Sequence, residues 1–132
     1  MKEIVVNKCY GGFGISYKAV MRYAELKGIK VYAFYEPHIG NKIGMVKYNP
    51  KLAERHHCIH YCKSKEYNSK KYFGIYDIKR DDPILVQVVK ELKEEANGEC
   101  AKLEIVEIPD NIEWEIEEYD GQELVSEKHR TW

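Results

Sequence analysis

The chain has 132 residues, 44% hydrophobic and 33% charged, enough for one domain that buries a core without disulfide or metal staples. Its net charge of −1 conceals a division, because residues 1–80 hold 16 Lys and Arg against 6 Asp and Glu (net +10), whereas residues 81–132 hold 5 against 16 (net −11). No apolar run has the length of a signal-peptide core or a membrane span, and the four unevenly spread cysteines read as reduced thiols, so a cytoplasmic protein off the membrane is expected.

Ile4-Val5-Val6 reads as a buried strand, followed by a glycine-rich turn, Cys9-Tyr10-Gly11-Gly12-Phe13-Gly14. Ser16 is a good N-cap for a helix over Tyr17 to Leu26, with Ala19, Val20, Tyr23, Ala24 and Leu26 at helical spacing and Gly28 as its stop. Lys30 to Tyr35 alternates and is rich in β-formers, which predicts a second strand and a β-α-β opening unit. Glycines, asparagines and lysines interrupt every period in residues 38–71, an irregular or flexible insertion. Tyr72 to Ile78 reads as another strand. Asp82 caps a helix with Pro83 in its first turn, Ile84, Leu85, Val88, Val89 and Leu92 as its apolar face and Asn97-Gly98 as its end. Ala101 to Ile108 is a strand, and Ile112 to Val125 a hairpin about the turn dipeptide Asp120-Gly121. The fold class is α+β: a single domain over 1–132 with a mixed sheet, two main helices and a C-terminal β-hairpin.

A strand, a glycine turn and a capped helix in that order aim backbone N–H groups at one point, which is how folds make an anion site. The spacing matches neither the dinucleotide fingerprint nor the Walker loop, so it names no cofactor. The plainer alternative is that Gly11, Gly12 and Gly14 only permit a tight turn with positive φ.

The opening residues Ile4 to Ser16, and the closing motifs Arg80-Asp-Asp-Pro83, Glu107-Ile-Pro-Asp110, Trp114 to Gly121 and Glu127-Lys-His-Arg-Thr-Trp132, resemble a family of small proteins encoded by bacteriophages and prophages. The resemblance covers both ends and omits the middle third. It implies a setting, host takeover or anti-defence in an infected bacterial cell, more than a mechanism.

Within that setting a sponge for a nucleotide-derived immune signal needs backbone donors, guanidinium groups and aromatic faces. Asn7, Tyr10, Gly11, Gly12, Phe13, Gly14, Ser16, Arg80, His129 and Arg130 are the candidate ligand-binding residues. A non-catalytic protein that sequesters a small nucleotide-like anion, as a homo-oligomer, is the first reading. The second is an acidic inhibitor that imitates nucleic acid toward a host nuclease or CRISPR effector, through Glu113, Glu115, Glu117, Glu118, Asp120 and Glu123. A thiol enzyme built on Cys9 with His129 as base has little beyond proximity to the glycine turn to support it. No cofactor is assigned. His56, Cys58, His60 and Cys62 are the only cluster of metal-ligand type, crowded and without zinc spacing, so zinc stays the minor alternative.

Overall fold

The computed structural model describes residues 1–35, 46–48 and 59–128. Contacts divide the chain into two compact units, one of Met1–Tyr23 with Ile75–Trp132, the other of Ala24–Gly74.

In the first unit, strand β1 (Lys2–Asn7) pairs antiparallel with β5 (Leu103–Ile108), in a register that sets Ile4 against Val106 and Asn7 against Leu103. Helix α1 (Tyr17–Lys27) starts at Ser16, whose Oγ accepts from the Ala19 N–H at 3.1 Å and donates to the Glu95 carbonyl at 2.6 Å. Helix α2 (Pro83–Leu92) is capped by Asp82, whose Oδ1 accepts from the Ile84 N–H at 2.8 Å, with proline in the first turn as expected. Leu85, Val88 and Val89 lie one helical turn apart and are buried, as are Ile4, Val5, Val6, Ala19, Val20 and Tyr23. Arg22 holds Glu91 through two N–H groups, at 2.9 and 3.2 Å, which lowers the Glu91 pKa, and Lys18 meets Glu95 at 2.9 Å. Strands β6 (Trp114–Tyr119) and β7 (Gln122–Glu127) form the expected C-terminal hairpin. Asp120 (φ 49°) and Gly121 (φ 88°) both take the left-handed conformation that a two-residue turn of this kind demands.

In the second unit, β2 (Tyr32–Tyr35) lies between β3 (Val46–Lys47) and β4 (His60–Cys62), both antiparallel to it. Phe34, Tyr61, Cys62 and Phe73 are buried there.

The α+β class, two main helices and the hairpin are as the sequence indicates. The sheets differ from the expectation: every pairing is antiparallel, so no mixed sheet and no β-α-β opening is found among the described residues. The partner of β1 is β5, about a hundred residues away, and local periodicity carries no information on that choice. Residues 72–78 make one isolated bridge, Cys62 to Tyr72, and then a 3-10 turn over Ile75–Asp77, because Gly74 and Asp77 interrupt the β-formers. Helix α2 stops at Leu92, five residues before the expected Asn97-Gly98 signal: Lys93 turns to φ 55°, and the chain continues as a 3-10 turn to Ala96. No helix among the described residues is long and apolar enough to cross a membrane.

Tyr23 ties the two helices together by donating its hydroxyl to Asp82 Oδ2 at 2.7 Å. Burial first, then the bond to the Asp82 carboxylate and its charge, raise the phenol pKa well above its ordinary value of 10. Above that ordinary value the unfolded chain loses this proton while the native state keeps it, so the tyrosine's contribution to stability falls as pH rises past about 10. Tyr23→Phe is expected to cost about 1 kcal/mol at neutral pH. The gap between variant and parent should narrow in urea titrations repeated above about pH 10.

Candidate functional site

The candidate residues Asn7, Gly11, Gly12, Phe13 and Arg80 converge in the first unit, and what brings them together is the hairpin. Asn7 ends β1 with no exposed surface. Its Nδ2 donates to the carbonyls of Cys9 and Gly121, each at 2.7 Å, and its Oδ1 accepts from the N–H groups of Cys9 at 3.1 Å and Lys102 at 2.9 Å. Two donors and two acceptor positions are all that a carboxamide has, and each is used.

Above this amide the turn of the hairpin presses on the glycine loop. The Gly11 N–H donates to the Asp120 carbonyl at 3.1 Å, and a Cβ on Gly121 would come within 2.2 Å of the Gly12 nitrogen. The loop and turn touch backbone to backbone, which only glycine at 121 permits. Gly98 repeats the device against Gly14: its N–H donates to the Gly14 carbonyl at 3.0 Å, and a Cβ there would lie 2.6 Å from the Gly14 carbonyl carbon.

Arg80 is spent in the same place. Its guanidinium grips Glu123 with two parallel bonds, NH1 to Oε1 at 2.6 Å and NH2 to Oε2 at 2.8 Å, while NH1 also reaches the Val5 carbonyl at 3.3 Å. The guanidinium carbon sits 3.4 Å over the Phe13 ring centre, and Tyr76 meets that ring edge-on at 6.5 Å. Glu123, only 5% exposed, accepts from the Asn7 backbone N–H at 2.8 Å as well. Glu123 therefore faces inward and is not part of an acidic surface, contrary to its place in the row expected from the sequence. The missed signal is the hairpin register: two residues from Val125, Glu123 shares the face of Val125 and Ile116.

The remaining candidates lie apart from this hub or outside the description. Ser16 is occupied as a helix cap. Tyr10 is 64% exposed, one residue before the Gly11 bond to the hairpin turn. His129, Arg130, His56 and Cys58 fall outside the described residues. His60 packs edge-on to Tyr67 at 6.5 Å, and the Cys62 thiol points to the Asn68 carbonyl at 3.5 Å. Among the described residues no group of three or more His, Cys, Asp or Glu is arranged to hold a metal. A hollow of about 570 Å³ lies between β1 and α2, where Lys2 pairs with Asp81 and Lys90 with Glu3 across its rim.

The outward face of the hairpin is the other chemically distinctive surface. Cross-strand pairing puts Glu115, Glu117 and Tyr119 of β6 on one face with Leu124 and Gln122 of β7. Tyr119 is 74% exposed and Leu124 is 49% exposed. A groove of about 490 Å³ is bordered by Lys8, Glu117, Tyr119 and Leu124. Residues 103–127 carry ten Asp and Glu and no Lys or Arg. Among the described residues Glu113, Glu115, Glu117, Glu118, Asp120 and Glu127 have no ion pair, whereas Glu123 and Asp110 do.

Comparison with protein families, with curated proteins and with solved structures finds no match to this chain.

The hub makes a clear stability prediction. Asn7→Leu leaves a buried carbonyl at Gly121, and a carbonyl and two N–H groups that are part-buried, without their partner and is expected to cost about 3 kcal/mol in urea unfolding. Arg80→Met and Glu123→Leu should each cost about 3 kcal/mol, since each strands a buried charge, and the double variant should cost clearly less than the sum.

Proposed function

We propose that this protein is a non-catalytic binding protein that acts through the outward face of its hairpin on a basic protein surface. The observation that carries this reading is a pair of carboxylates, Glu115 and Glu117, without a counter-ion among the described residues and on one face with two exposed apolar side chains, Tyr119 and Leu124. Like charges crowded on one hairpin repel one another, and a cationic partner would relieve that repulsion. Tyrosine and leucine within the acidic field supply apolar area to a contact that charge steers into place. Anchoring of the turn by Asn7, Gly121 and Glu123 fixes the hairpin before it binds, so little ordering cost falls on association.

The first reading, a sponge for a small nucleotide-like anion at the glycine loop, asks among others for two donors that the chain already uses: the Gly11 N–H on Asp120 and the Arg80 guanidinium on Glu123. That favours the acidic hairpin. The likeness of both chain ends to phage proteins suggests the class of target, a bacterial nuclease or CRISPR effector whose nucleic-acid groove is lined with Lys and Arg.

The test is inhibition of DNA cleavage by a panel of such enzymes, with the salt concentration varied. Inhibition of at least one, competitive with DNA and weakening as salt rises, is the expected result. Glu115→Gln with Glu117→Gln should weaken it about ten-fold, and Tyr119→Ala by a similar factor, with unfolding unchanged. Inhibition that survives both changes, or none by the parent protein, would overturn the proposal.

A further inference from the structure

The two edges of the β1–β5 ribbon are treated differently, and the difference points to a second copy of the chain. Even-numbered residues of β1 and β5 turn their backbone groups toward each other, as the Lys8 N–H to the Lys102 carbonyl shows, so odd-numbered residues face outward. On β1 the outward groups of its second half are covered, the Val5 N–H by the Arg80 carbonyl, the Val5 carbonyl by the Arg80 guanidinium and the Asn7 N–H by Glu123, and those of Glu3 are not covered among the described residues. On β5 the Leu103 N–H is covered by Asn97 Oδ1 at 2.9 Å. The N–H and C=O of Ile105 and Glu107 have no partner among the described residues. No proline, bulge or lysine guards that stretch, and its charges are the two carboxylates Glu104 and Glu107. The side chains agree, for Leu103, Ile105, Val106 and Ile108 all stay partly exposed while Ile4 and Val5, opposite Val106 and Ile105, are fully buried.

We infer that two copies pair antiparallel through the outer edges of β5, with Val106 on the two-fold axis. This register alone uses the free groups and no others. It sets Ile105 against Glu107 of the second copy, and Glu107 against its Ile105, giving four hydrogen bonds that consume every open donor and acceptor of those residues. One step outward, Leu103 would meet Pro109 of the second copy, and the ladder ends there because the Leu103 N–H is already engaged and proline has none. The side chains are compatible as well. Glu104 falls opposite Ile108, so no carboxylate faces another, and Val106 meets its own copy. Just beyond the ladder Lys102 comes opposite Asp110, twice by symmetry, which is charge complementarity in an otherwise acidic region. The product is a four-stranded sheet, β1–β5–β5–β1. It does not involve the outward hairpin face, so it stands or falls separately from the proposed function.

The test is sedimentation of the full chain over a range of concentrations, together with cysteine cross-linking. Residues on the axis form a non-hydrogen-bonded pair, whose Cα separation of about 4.5 Å suits a disulfide. In a chain with Cys9 and Cys100 changed to serine, Val106→Cys should oxidise to a covalent dimer and Leu103→Cys should not. Glu107→Pro removes one outward N–H from each copy and spares the ladder to β1, so it should raise the dimer dissociation constant about a hundred-fold with the circular dichroism unchanged. A parent chain that stays monomeric at its highest soluble concentration, or a dimer in which Val106→Cys fails to cross-link, would overturn the inference.

Discussion

The carboxamide of Asn7 holds three separated stretches of chain at once: its own strand end and Cys9, the entry to β5 at Lys102, and the hairpin turn at Gly121. Only an amide fits this position, because two carbonyls and two N–H groups converge on it and need two donors and two acceptors in return. A carboxylate would set negative oxygen against carbonyl oxygen, and an aliphatic side chain would leave all four backbone groups without this partner, the Gly121 carbonyl among them buried. The glycines around it follow from the same constraint, since the turn reaches the amide only by lying directly on the glycine loop. At Gly11 and Gly12 the loop that looks open to a ligand in the sequence lies directly against the protein's own hairpin turn.

A second layer of polar contacts rests on the first. The Arg80–Glu123 pair is costly to bury, and pairing alone would not make it a net gain over apolar side chains. Its placement is what makes it useful, because the same two side chains satisfy a carbonyl and an N–H on the outer edge of β1 that no strand reaches. Phe13 beneath the guanidinium excludes water and adds a favourable face for the cation. The pair thus serves as a short false strand and fixes the hairpin's angle to the sheet, leaving its acidic face outward.

Much of the local structure is legible in the sequence and the long-range pairing is not. Ser16, Asp82-Pro83, Gly28 and Asp120-Gly121 each carry their own conformational instruction, so both helix starts, the end of α1 and the hairpin turn can be read directly. The strand partners are different. Ile4-Val5-Val6 would suit a parallel neighbour as well as an antiparallel one, and nothing near it in sequence names Leu103–Ile108. The candidate site was legible as a set of residues, since Asn7, Gly11, Phe13 and Arg80 do come together. Their internal partner, Glu123, was hidden by its place in an acidic run, where one buried carboxylate looks like its exposed neighbours.

The hub also sets an order of events. Asn7 and Glu123 are separated by 116 positions, and Asn7 and Gly121 by 114. During synthesis β1 leaves the ribosome well before Lys102, Gly121 and Glu123, and its amide and outer edge wait for them. During that interval an apolar strand with an unguarded edge is held in the open. The net charge of +10 on residues 1–80 makes two such unfinished chains repel each other, a consequence of the uneven division of charge that disappears once the acidic segment is added.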